Sequence, residues 1–132
     1  MPSVWEAAEA MDQHFAQRRF AAEHDCYVYL YSRLDGSPAY VGIGRGRRWL
    51  AHMRRCNNVG LAAVIEEFRR AGRAPDVVKL RTGMTMAEAA ATEMALIAHF
   101  GSVLDGTGCL VNASVGGEGS RRRRKSKAKA AA

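Results

Sequence analysis

Tyr27-Val28-Tyr29-Leu30-Tyr31, then Asp35-Gly36-Ser37-Pro38, then Tyr40-Val41-Gly42, with Arg48 and His52 closing the stretch, decide the reading of this chain. Tyrosine, valine and leucine favour extended backbone, and Asp-Gly-Ser-Pro is a strong turn signal. A hairpin is therefore expected, with strands over 26–34 and 39–43 and a loop longer than the tightest type. Side chains alternate along a strand, so Tyr27, Tyr29 and Tyr31 share one face and Val28 and Leu30 the other. Two readings stay open: the phenol face is presented to solvent, or the tyrosines pack beneath a helix.

Gly42, Gly44 and Gly46 follow at alternate positions. They match neither a Walker A loop, which ends in Lys-Ser/Thr, nor the spacing of a dinucleotide fingerprint. Glycines here allow a sharp bend and the close approach of a bulky partner. Residues 47–56 are then expected to be helical. At about 100° per residue, Trp49, Leu50, Met53 and Cys56 gather on an anchoring side, leaving Arg48, His52 and Arg55 on a free basic side.

Working outward, Asn57-Asn58 ends that helix and can cap the next. Residues 59–71 repeat Leu61, Val64, Ile65 and Phe68 inward, and Gly72 stops them. Val77-Val78-Lys79-Leu80 reads as a short third strand. Thr85-Met86-Ala87-Glu88 is a capping box, so a helix starts at Met86 and runs to about Phe100. Its apolar arc of Met86, Ala89, Ala90, Leu96, Ile97 and Phe100 has Glu93 at its centre. A carboxylate inside a buried stripe is costly unless it is paired, protonated or bound to a cation. One account of Glu93 is a structural ion pair; the other is an acid facing a cleft.

At the N-terminus, Val4, Ala8, Met11 and Phe15 recur at helical spacing over 3–22, and Ser3 with Glu6 forms a capping box. An accessory helix packed on the main domain is expected, a dimer contact being an alternative that nothing in the sequence supports. The sequence divides into that helix (1–24), a mixed α/β body (25–119) with a small, mainly antiparallel three-stranded sheet, and a basic tail (120–132). A chain of 132 residues suits one modest core. The net charge is +7. The tail residues Arg121, Arg122, Arg123, Arg124, Lys125, Lys127 and Lys129 supply all of it, since they bring no acid and the remainder is formally neutral. Such a like-charged run is expected to be disordered and to bind polyanions in a salt-sensitive way; a solubilising role is the plainer reading. Cys26, Cys56 and Cys109 are scattered with no CxxC pair, which argues for small hydrophobes rather than zinc ligands. No apolar run approaches the ~20 residues of a membrane span, and no signal peptide is recognised. A cytoplasmic protein without membrane contact is expected, nucleoid association being an alternative; a monomer is favoured, the oligomeric state being left open.

Taken together, these residues resemble the GIY-YIG nuclease family. Tyr27-Val28-Tyr29 matches the GIY element and Tyr40-Val41-Gly42 the YIG element. The family's helix arginine falls on Arg48, its following histidine on His52, its metal-binding glutamate on Glu93 and its late asparagine on Asn112. The match covers 26–119. The run from Tyr40 to Gly46 and the ending from Asn112 to Gly119 are similar to the branch found in LEM-domain and related small nucleases. Two departures stand out: Tyr27 replaces the first glycine, and Ile43 stands where many relatives carry a lysine. The resemblance implies a metal-dependent endonuclease acting on DNA. Tyr29, Tyr40, Arg48, His52, Glu93 and Asn112 would form its site, and Glu93 would hold one Mg²⁺ or Mn²⁺. Water would be activated by a tyrosine or by His52. Arg45, Arg47, Arg55 and Arg121 to Lys125 would contact DNA. The alternative is a nucleic-acid-binding module with little or no catalytic activity.

Overall fold

The computed structural model describes residues 3–113 and 116. The elements in chain order are α1 (Val4–Glu23), β1 (Cys26–Ser32), β2 (Pro38–Gly44), a 3₁₀ turn (Arg48–Leu50), α2 (Ala51–Arg54), α3 (Val59–Arg70), β3 (Val77–Met84) and α4 (Met86–Phe100). The architecture is mixed α/β, with a three-stranded antiparallel sheet in the order β2-β1-β3. No helix among the described residues is long and apolar enough to cross a membrane.

β1 is the middle strand, and both of its faces are covered. Val28 packs with Cys26, Val41, Ile43 and Met84 against Ala89 and Ile97 of α4 and Leu110. On the opposite face Tyr27, Tyr29 and Tyr31 pack with Leu61 of α3, and Tyr40, Trp49 and Val111 lie against them. Ala39 joins Val64 and Phe68 in a third cluster. Tyr27, Tyr29 and Tyr31 are at most 4% exposed, so the phenol face is roofed by helices and not presented to solvent. The alternating glycines make this roof fit. Tyr29 pairs with Gly42 and Tyr27 with Gly44 across the hairpin. A Cβ on Gly42 would lie 2.4 Å from the Tyr29 ring, and one on Gly44 2.7 Å from the Tyr27 ring. Each ring lies on bare backbone, where no other residue leaves room.

The expected helix over 47–56 is broken. A 3₁₀ turn at Arg48–Leu50 leads into a single α-turn, Ala51–Arg54, and Arg55 is already extended (φ −148°, ψ 114°). The cause lies in the tyrosines. Tyr27 accepts from the Trp49 N–H (3.0 Å) and donates to the Gly46 carbonyl (2.8 Å), while Tyr31 donates to the Trp49 carbonyl. Backbone groups that a longer helix would use are held by phenols instead. The expected split of faces fails with it: Met53 is exposed and His52 is buried.

Three further expectations change. β3 extends to Met84, four residues beyond the apolar run that announced it, because its backbone follows β1 even where its side chains are exposed. Helix α1 is present with its capping box, but none of its residues is buried, so it is not packed on the body. Cys26 is fully buried, whereas Cys56 and Cys109 are only partly so; all three are free thiols. The basic tail, with Arg121, Arg122, Arg123, Arg124 and Lys125, lies outside the described residues.

After α4 the chain returns to the outer edge of β2. Val111 N–H donates to the Ala39 carbonyl at 2.7 Å. The Asn112 side chain then continues the pairing: its Oδ1 accepts from Val41 N–H (3.0 Å) and its Nδ2 donates to the Val41 carbonyl (2.8 Å). A side-chain amide thus covers an edge that a strand would otherwise extend.

Candidate active site

An open cleft of about 730 Å³ lies where this edge meets the helices. Its lining includes Tyr29, Tyr40, Arg48, His52, Glu93 and Asn112, with Ile43, Arg55, Asn58, Val59 and Leu104 around them. All six residues expected to form a site therefore reach one cavity, although they come from six different segments. Of the residues expected to meet DNA, Arg55 lines the cleft and Arg45 and Arg47 are exposed nearby in sequence. Arg45 pairs with Asp25 at 2.8 Å, which raises the Arg45 pKa and lowers that of Asp25, the hydrogen bond between them being the main cause.

His52 sits at the back of the cleft in a cage of phenols. Its ring centroid is 5.1 Å from Tyr40, 5.7 Å from Tyr31 and 5.9 Å from Tyr29. Its Nε2 is 2.8 Å from the Tyr29 hydroxyl. Burial, with the nearby Arg48 charge as a second cause, lowers the His52 pKa. The imidazole is thereby held neutral at pH 7, when one ring nitrogen can accept a proton. Tyr31 is pushed the other way, up to about 12, by burial first and then by neighbouring acidic groups; it stays a protonated donor to Trp49.

The three tyrosines of β1 divide the work by position. The outer two, Tyr27 and Tyr31, hold the backbone on either side of Arg48. The middle one meets His52. Arg48 itself is exposed and lines the cleft. Asn112 spends both ends of its amide on the Val41 backbone, so it acts as a positioning residue for β2.

Glu93 is only 3% exposed yet lines the cleft, in the middle of the α4 arc as expected. It is the single carboxylate among the lining residues described. No group of three or more His, Cys, Asp or Glu suited to a metal occurs among the described residues. This donor set does not suit zinc, which takes three or four protein ligands. It does fit Mg²⁺, which keeps most of its water and takes one or two carboxylates plus phosphate oxygens. Glu93 would hold such an ion.

Several supporting residues escaped the sequence reading. Gly116, at φ +90°, lies against Glu93: a Cβ there would come within 3.0 Å of Glu93 Oε1 and 2.9 Å of Ile97. Asn58 caps α3 through Leu61 N–H, as expected, and also donates to the Val111 carbonyl at 2.8 Å, tying the cleft's two walls together. Gly60, inside α3, leaves room for Val111, whose Cβ would be 2.7 Å from an added methyl. A glycine in the first turns of a helix was the one available signal. Lys79 reaches over the rings of Tyr27 (4.6 Å) and Trp49 (4.9 Å); nothing in the four-residue strand pattern Val77-Val78-Lys79-Leu80 announces that. Compared with family models, curated proteins and solved structures, the chain gave no match.

Proposed function

We propose that this chain is a metal-dependent endonuclease of the GIY-YIG type, hydrolysing DNA phosphodiester bonds. The observation that carries the proposal is the convergence of Glu93, Arg48 and the Tyr29–His52 pair on one open cleft. In that reading, water attacks phosphorus while its proton passes to the Tyr29 oxygen and the Tyr29 proton passes to His52 Nε2. The 2.8 Å hydrogen bond and the neutral imidazole favour this route over Tyr40 acting alone. The bond from phosphorus to the 3′ oxygen breaks, and that oxygen leaves. Arg48, always charged and forked, meets the negative charge that builds on the phosphoryl oxygens. A divalent ion at Glu93, when bound, supplies positive charge to the phosphate and the departing oxygen. Tyr40 closes the phenol cage around His52, and Asn112 keeps β2 in place.

The test is cleavage of single-stranded, duplex and branched DNA with Mg²⁺, with and without chelator, by the natural chain and by Glu93→Gln. Chelator-sensitive cleavage that falls at least about 10²-fold in Glu93→Gln supports the reading. Unchanged cleavage by Glu93→Gln refutes the role of Glu93. Salt-sensitive DNA binding without any cleavage favours the binding module, for which the exposed Arg45, Arg47 and Arg55 are the supporting observation.

A further inference from the structure

Lys79 lies outside the cleft lining and has no part in the proposed reaction. It pairs with Tyr29 between β1 and β3, so its side chain rises from the same face of the sheet as the tyrosines. There its Nζ stands 4.6 Å from the Tyr27 ring centroid and 4.9 Å from that of Trp49. Cation–π attraction holds the ammonium at that spot, while the residue stays exposed. Among the described residues no carboxylate forms an ion pair with it. Its surroundings are short of acid altogether. Residues 45–58 contain five arginines and no Asp or Glu, and β3 has none either. Of those five arginines only Arg45 is in an ion pair among the described residues, with Asp25. Cations gathered without acids repel one another and raise a positive potential that suits a polyanion. The 3₁₀ turn joins these charges. It touches both β2 and β3; its Arg48 lines the cleft and its Trp49 lies under Lys79. Neighbouring strands lie about 4.8 Å apart, so β3 stands roughly 10 Å across the sheet from β2.

We propose that Lys79 contacts a backbone phosphate, and that DNA seated in the cleft continues over the 3₁₀ turn to reach it. The proposal rests on the nuclease reading for its ligand, DNA, and uses none of its chemistry. An ordinary surface lysine loses rotamer freedom when it grips a phosphate. Lys79 is already confined by two rings, so less remains to be lost. Its ammonium is a point charge with three donors and no acceptor, suited to a phosphate oxygen. Such a contact fixes where the duplex lies and carries no sequence information. The contact extends the DNA surface from the cleft and its arginines to the opposite edge of the sheet.

The experiment is equilibrium binding of the full chain to two fluorescent DNA duplexes of unrelated sequence. It is run in EDTA, so that no metal-dependent cutting occurs, over roughly 50–200 mM NaCl. Lys79→Met keeps the stem and removes the charge. It should bind both duplexes roughly five- to tenfold more weakly at about 0.1 M salt, with a slope of log affinity against log salt shallower by about 0.9, the counterion share of one phosphate. Lys79→Arg, cationic and able to lie over the same rings, should keep the natural slope. Arg70→Gln makes the same change of charge at the end of α3 remote from the cleft, where Arg70 pairs with Glu66, and should also keep it. In an Arg48→Gln background Lys79→Met should lower the slope by the same step. An unchanged slope in Lys79→Met overturns the proposal, as does an equal change in Arg70→Gln. No further change in the Arg48→Gln background overturns it too, since Lys79 would then act only by bracing the turn. A partly unfolded variant loses affinity by the same factor at every salt concentration, so the slope separates lost charge from lost fold. Chelator-sensitive cleavage with an unmoved slope sinks the Lys79 contact alone; the expected slopes without any cleavage sink the nuclease reading and leave the contact standing.

Discussion

Gly42→Ala puts the argument about the tyrosine ladder to its sharpest test. The added Cβ would lie 2.4 Å from Cζ and the hydroxyl of Tyr29, about 1 Å inside ordinary contact. Tyr29 is 1% exposed and cannot swing out to solvent. Something must shift, and overpacking of this kind costs about 1–3 kcal/mol. The ring end that moves also carries the hydroxyl bonded to His52. Losing that buried hydrogen bond adds about 1–3 kcal/mol. Alanine recovers roughly 0.5–1 kcal/mol of backbone entropy relative to glycine. The net expectation is a loss of about 2–4 kcal/mol. With a urea slope of about 1–3 kcal/mol per molar for a small protein, the unfolding midpoint should fall by roughly 1–2 M. The same substitution in a Tyr29→Ala background should cost almost nothing, because the clashing ring is gone. A double-mutant cycle of urea unfolding curves measures the difference. An equal cost in both backgrounds, or a cost below about 0.5 kcal/mol in the first, would show that Gly42 is not there to seat Tyr29.

On the proposed nuclease reading, Arg48→Lys keeps the charge and loses the fork, so DNA cleavage should drop about 10²-fold while unfolding shifts by less than about 0.5 kcal/mol, the side chain being exposed. His52 has a lowered pKa in the fold, so the unfolded chain takes up its proton first as pH falls. Its contribution is complete above the unfolded value of about 6.5 and is lost as pH drops below it; unfolding measured from pH 8 to 5 should show the loss, and His52→Gln should remove it. Tyr31 runs in the opposite sense. Its phenol rises from 10.0 to about 12 in the fold, so stability is intact below pH 10 and declines by on the order of 2 kcal/mol as pH climbs towards 12. Alkaline unfolding of Tyr31→Phe should lack that decline.

The sequence alone determined the hairpin, the third strand and the long helices, because each has a local cause. Tyr27 to Tyr31 and Ala39 to Ile43 are strand formers separated by a turn, and Ser3, Asn58 and Thr85 cap helices through bonds to residues three positions away. It also marked Glu93 as out of place on an apolar arc, since periodicity is visible without coordinates. Sequence reading failed where a distant group competed for local backbone. The helix expected at 47–56 gave way because phenols from β1, 18–22 residues earlier, took hydrogen-bonding groups of Gly46 and Trp49. That competition turned His52 inward and left Arg48 at the cleft, so the arrangement of the candidate site is a tertiary outcome. The same holds for Gly116 against Glu93 and for the Asn112 amide on Val41: each is a contact between segments, set by packing and invisible to spacing. Helix α1 shows the converse. Its cap and its alanine-rich turns specify a helix locally, but what it packs against depends on the company it keeps, and its own body leaves it uncovered.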